Sequence, residues 1–125
     1  MKLRFEFESI ECTAKIFEEL APNTAKAIAD SLPLRAIANR WGDEIYFETS
    51  IDCRIAENSR DFVEIGDVAY WIPGRAICLF FGKTPISDDK IRPASSVNVI
   101  GKIIGDPLEL RNVKDGEKVF VELIK

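Results

Sequence analysis

Over the first seven residues Met1, Leu3, Phe5 and Phe7 alternate with Lys2, Arg4 and Glu6. A period of two marks a half-buried strand, because successive side chains point to opposite faces. Beyond Ser9-Ile10-Glu11, Cys12, Ala14 and Ile16 alternate with Thr13 and Lys15, which predicts a second strand paired antiparallel with the first. The period then lengthens. Ala25, Ile28, Ala29 and Leu32 recur at helical spacing behind Leu20-Ala21-Pro22-Asn23-Thr24, where Asn or Thr can cap free backbone N–H groups. This spacing predicts a helix of about three turns that stops at Pro33 and lays one apolar stripe on a sheet.

From Leu34 the chain reads as extended again. Gly42-Asp43 supplies a tight turn or bulge between Asn39-Arg40-Trp41 and Glu44-Ile45-Tyr46-Phe47, and a second Gly-Asp follows Val63 and Ile65 at 66 and 67. Residues 66 to 85 form an apolar run punctuated by Gly and Pro. Residues 86 to 96 are polar and contain Pro, a surface loop with the length of a lid. Val97 to Ile104 and Lys118 to Ile124 alternate once more, joined through turns at Gly105-Asp106-Pro107 and Asp115-Gly116. About seven or eight short strands with one clear helix predict an all-β fold, a closed antiparallel barrel or a sandwich. The length of 125 residues suits a single domain spanning 1–125.

Composition narrows the chemistry. The chain is 46% hydrophobic and 30% charged, without an apolar run of the ~18 residues a membrane helix needs. Its amino terminus alternates charge with apolar side chains, which is not the layout of a signal peptide, so the expected location is cytoplasmic. Cys12, Cys53 and Cys78 are widely spaced, which predicts reduced thiols, with Cys12 and Cys78 buried, and no disulfide framework or zinc site. A net charge of −4 without a basic cluster argues against nucleic acid and against anionic membranes. The absence of His removes the usual general acid or base, the commonest metal ligand and every Ser-His or Cys-His pair; no metal and no cofactor are expected. With no Gln, one Met and many Glu, Lys and Arg, the composition fits a heat-adapted source.

Several segments resemble the cyclophilins, peptidyl-prolyl isomerases built as an eight-stranded barrel capped by helices. Glu19-Leu20-Ala21-Pro22-Asn23-Thr24-Ala25 looks like the cyclophilin entry into its first helix. Leu79-Phe80-Phe81 resembles the Gln-Phe-Phe strand, and Asn98-Val99-Ile100-Gly101-Lys102-Ile103 resembles Val-Val-Phe-Gly-Lys-Val. The match is closer to a group of prokaryotic cyclophilin-like proteins of unknown function, through Arg-Trp-Gly-Asp-Glu-Ile-Tyr-Phe at 40 to 47 and the whole of 66 to 85. The resemblance implies a closed, eight-stranded antiparallel barrel with one principal helix. The isomerase site of cyclophilins uses an Arg, a Phe, a Gln, a pocket Phe, a Trp and a His. Carried over by motif, Phe81 stands for the pocket Phe and Val97 occupies the place of the His.

Three functions are open at this stage. The first is a binding module that holds a peptide or small apolar ligand at the barrel mouth, with Trp41, Tyr46, Trp71 and Phe81 as walls and Arg40, Glu44, Arg75 and Asn98 as polar contacts. The second is an atypical prolyl isomerase, in which Arg40 or Arg75 donates to the imide nitrogen as it loses resonance; that reaction needs no acid, base or metal. The third is a non-catalytic interaction subunit, monomer or homodimer, whose exposed aromatics form a contact. Asp43 and Asp67, each beside a Gly, read as turn residues and not as paired catalytic carboxylates.

Overall fold

The amino-terminal alternation folds as it reads. In a computed structural model that describes residues 1–124, β1 (Lys2–Phe7) and β2 (Glu11–Ile16) form an antiparallel hairpin with Lys2 opposite Lys15. Leu3, Phe5 and Phe7 all face the core, and burial of each such side chain is worth about 1.5–3 kcal/mol.

The helix α1 (Pro22–Asp30) is shorter than its apolar spacing suggests. Ser31 closes it by donating its N–H to Ile28, so Leu32 packs against the core from outside the helix while Ala25 and Ile28 form the buried stripe. Its cap also differs. Neither Asn23 nor Thr24 caps with its own side chain; the carboxylate of Glu57 accepts the backbone N–H of both, at 3.2 and 2.8 Å. A negative charge here also complements the positive end of the helix dipole.

The remaining strands are β3 (Leu34–Ile37), β4 (Asn39–Trp41), β5 (Glu44–Glu48), β6 (Ser59–Arg60), β7 (Asp67–Trp71), β8 (Ala76–Phe80), β9 (Val97–Ile104) and β10 (Lys118–Ile124), with a 3-10 helix at Pro107–Asn112. They form one ten-stranded sheet in the order β3-β10-β1-β2-β9-β7-β8-β5-β4, with β6 beside β9. All of these pairings are antiparallel. The fold is mainly β with one α-helix, as expected.

The closed, eight-stranded ring of ladders is not what forms. The hydrogen-bonded path has two ends, β3 and β4, with no ladder between them. These ends are consecutive in the chain. Ala38, which separates them, donates its N–H to Glu117 and accepts that of Gly116. One extended segment, 34–41, thus serves β10 with its first half and β5 with its second.

The central strands are apolar on both faces, which explains the long apolar run at 66 to 85. Ile45, Phe47, Val68, Tyr70, Ile77 and Leu79 join the main core with β1, β2 and α1. On the opposite face Ala69, Ala76, Cys78, Phe80, Val97 and Val99 form a second cluster, covered by Val63 and Ile91, whose backbones are bridged. Gly101 lets β9 cross β2 closely, since a Cβ there would run into the Lys15 carbonyl oxygen. Val63 and Ile65, expected in a strand, make only that bridge before β7 begins. All three cysteines are free; Cys78 and Cys53 are buried, whereas Cys12, expected inside, is half-buried. No helix among the described residues is long and apolar enough to cross a membrane.

Candidate functional site

The turn at Gly42-Asp43 folds β4 onto β5 and sets Trp41 opposite Glu44; Gly42 takes a φ of +60°, a region that favours glycine. Period-two alternation then places Glu44, Tyr46 and Glu48 on one face of β5. β8 adds Cys78 opposite Tyr46, and Trp71 ends β7 opposite Ala76. Together with Val97 at the start of β9 and Pro93 and Ala94 from the preceding segment, these side chains line a cavity of about 230 Å³.

This cavity lies on the outer face of the sheet. The barrel-mouth location expected from the sequence is therefore corrected, because the inner face of the same strands is filled by Ile45, Phe47, Ile77 and Leu79. Trp71 is held in place from two sides. Its indole N–H donates to Ser95 Oγ at 2.7 Å, and its ring lies against Gly74, where a Cβ would stand 2.5 Å from it. The segment expected as a lid is tied down. Ser87 Oγ accepts the N–H groups of Thr84 and Arg92, Arg92 pairs with Asp88 at 3.1 Å and Asp61 at 3.4 Å, and Val63 donates to Ile91.

Glu44 is the one strongly polar group at the floor of this cavity. It is 5% exposed, and its Oε1 is buried without a hydrogen-bond partner. Burial pushes its carboxyl up to about 7, against a smaller opposing pull from the neighbouring Cys78 thiol. Burial likewise pushes that thiol well above its ordinary value, reinforced by the charge of Glu44. A carboxyl in this setting can change protonation near neutral pH and can accept a hydrogen bond from whatever enters.

The structure brings together Trp41, Glu44, Tyr46 and Trp71 and sends the other candidates elsewhere. Phe81 belongs to the main core, with the Arg40 guanidinium 5.0 Å from its ring centroid. Arg40 donates to the carbonyls of Val113 at 2.7 Å and Arg111 at 3.2 Å, which ties β4 to the approach of β10. Arg75 is exposed in the turn between β7 and β8, with φ of +49°. Asn98 is buried in a separate network: Oδ1 accepts from the Glu57 N–H at 3.1 Å, and Nδ2 donates to Ile55 O at 2.9 Å and Thr24 Oγ1 at 3.2 Å. Among the described residues no group of three His, Cys, Asp or Glu is placed to hold a metal ion.

A family model described as Cyclophilin-like matches residues 1–122. The chain belongs to the cyclophilin-like family. The solution structure of a hypothetical protein from Archaeoglobus fulgidus is similar to this cyclophilin-like chain at 64% identity, covering 98% of this chain and 93% of that one, with a TM-score of 0.86. A structure of McbB in complex with tryptophan shares the fold at 16% identity, covering 96% of this chain and 44% of that one, with a TM-score of 0.72. Comparison with curated proteins gave no match.

Within this family setting, the position that the resemblance assigns to a catalytic His, Val97, lines the cavity as an apolar wall. Sequence reading missed Glu48, Cys78, Pro93, Ala94 and Val97. Glu48 was recoverable by counting by two from Glu44, whereas Cys78, directly across from Tyr46, depends on the register between β5 and β8. Pro93 and Ala94 come from irregular chain, which has no period to read.

Proposed function

We propose that this cyclophilin-like chain is a binding module that takes a small ligand, or one side chain of a peptide, into the outer-face cavity. One observation carries the reading: two Trp rings and a Tyr ring surround a concavity whose floor holds a single buried polar group, the arrangement by which small ligands are gripped and oriented. Its volume of about 230 Å³ suits a side-chain-sized occupant. A wider groove of about 700 Å³ runs over β1, β3 and β10, but its charged residues Glu6, Glu8, Arg35 and Lys118 are exposed to solvent and have no need of a ligand.

Prolyl isomerisation is the weaker reading. It needs a guanidinium beside the pocket, and both candidates lie outside: Arg40 is engaged with Phe81 and two carbonyls, and Arg75 is in a turn. An interaction subunit is weaker still, since Trp41, Tyr46 and Trp71 are each half-buried and do not form a flat exposed patch.

Titration of isotope-labelled protein with a small-fragment library, followed by amide and indole chemical shifts, tests the proposal. Shifts are expected at Trp41, Tyr46, Trp71 and Val97. Shifts confined to the groove over β3 and β10 would overturn it. A protease-coupled assay on a proline peptide is expected to give no rate above the uncatalysed one.

A further inference from the structure

We propose that the cavity selects an organic cation, an alkylammonium group, held by the Glu44 carboxylate beneath the faces of Trp41, Tyr46 and Trp71. This rests on the binding reading above and names the class of ligand.

Three observations point the same way. First, Glu44 is 95% removed from solvent by its 5% exposure, and Oε1 has no partner; buried carboxylates without a partner are rare because the charge loses its hydration. A cation in the cavity brings a compensating positive charge beside this carboxylate. Second, the walls are aromatic, and the faces of Trp and Tyr attract cations through their quadrupole, most strongly when water is excluded. Third, no Lys or Arg lines the cavity, while a second carboxylate, Glu48, stands at its exposed rim. No positive side chain in the lining therefore offsets the two carboxylates. An anion would meet two carboxylates, and a neutral apolar group would leave Glu44 unpaired.

The groups facing Glu44 set the pH response. Cys78 faces it from β8, Tyr46 and Glu48 share its strand, and the 93–97 segment and β4 contribute no titratable side chain to the cavity. A bound cation stabilises the ionised carboxylate, so binding below neutral pH expels a proton. Affinity should therefore fall as pH drops through the carboxyl's midpoint near 7, levelling off after about the tenfold that ionised Glu44 contributes.

The test compares choline with its neutral isostere 3,3-dimethylbutan-1-ol, read by tryptophan fluorescence and indole shifts. Choline is expected to bind about tenfold tighter than the alcohol. Glu44→Gln should remove that preference; Glu48→Gln, at the exposed end of the cavity, should cost choline only about twofold. Calorimetry in buffers of different ionisation heat should show proton release with choline at pH 6.5 and none in Glu44→Gln, a readout that loss of packing does not mimic. A third probe, Nα-acetyl-trimethyllysine methylamide, separates the sources: binding tighter than choline identifies a protein side chain as the ligand, and weaker binding identifies a free ammonium compound. Equal binding of choline and the alcohol overturns the cation proposal and leaves the cavity as an apolar site. If neither probe moves the Trp41 and Trp71 signals, the binding reading itself fails.

Discussion

Glu117 and Glu44 are both more than nine-tenths buried, at 8% and 5% exposure, and they behave in opposite ways. Glu117 is saturated: Oε1 accepts from Ser9 N–H at 2.8 Å and Ser9 Oγ at 2.9 Å, and Oε2 accepts from Lys114 N–H at 2.6 Å. Burial pushes its carboxyl up, but these hydrogen bonds together outweigh burial and hold it below the ordinary range. Glu44 has burial and almost nothing to oppose it. The difference separates a carboxylate that the fold uses from one that the fold leaves available. Glu57, bonded to Asn23 and Thr24 and likewise held low, belongs with Glu117.

The sharpest way to break this contrast is to remove the saturated group. Glu117→Ala strands the Ser9 and Lys114 donors between the first hairpin and the start of β10, and should cost about 3 kcal/mol, seen as a lower denaturant midpoint. The cost should shrink as pH falls through the carboxyl's folded-state value, because a group with a depressed value contributes its stability only while ionised. A loss that is the same at pH 3 and pH 7 would place the effect in packing.

The next largest effect has the reverse sign. Between the ordinary value of 4.5 and about 7, the folded chain holds a proton at Glu44 that the unfolded chain has lost, so stability declines as pH rises through that window. Such a displacement is worth about 3 kcal/mol. Glu44→Gln should therefore be more stable than the parent by about 2 kcal/mol at pH 8 and nearly equal at pH 4. A pH-independent difference would mean that Glu44 has a partner after all.

The smallest effect tests whether the cavity depends on how Trp71 is held. Gly74→Ala pushes a methyl group into the indole and should cost about 1 kcal/mol or less, because a half-buried ring can give way. The tryptophan emission should shift to the red and small-ligand binding should weaken. Unchanged emission would show that Ser95 alone fixes the ring.

Strands with one buried face were legible in the sequence, and those that depend on distant partners were not. β1, β2 and β10 follow their alternation, whereas β9 is buried on both faces from Val97 to Gly101. β6 is two exposed residues that pair with Asn98 and Val97, and nothing local marks it. The 3-10 helix at 107–112 was read as a turn because its span is too short for a period, though Asp106, which caps Leu108, was the cue. At the site, adjacent residues were assigned to the wrong faces. Phe80 and Phe81 alternate, but the sequence does not say which faces out; it is Phe80 that joins the outer cluster and Phe81 that enters the main core. The same parity error chose Asn98 over Val97. Trp41, Glu44, Tyr46 and Trp71 were grouped in the sequence reading and do lie together, because a short hairpin and a strand end constrain them locally.

The segment 34–41 has a further consequence for how the molecule meets its neighbours. Sheet edges invite other chains to add on, and proteins commonly guard them by keeping edge strands short. Here both edges are parts of one passage of chain, four residues at Leu34–Ile37 and three at Asn39–Trp41, separated by an Ala38 already bonded to 116 and 117. An incoming strand would find so few free backbone groups in line that growth into a fibre has almost no template to start from.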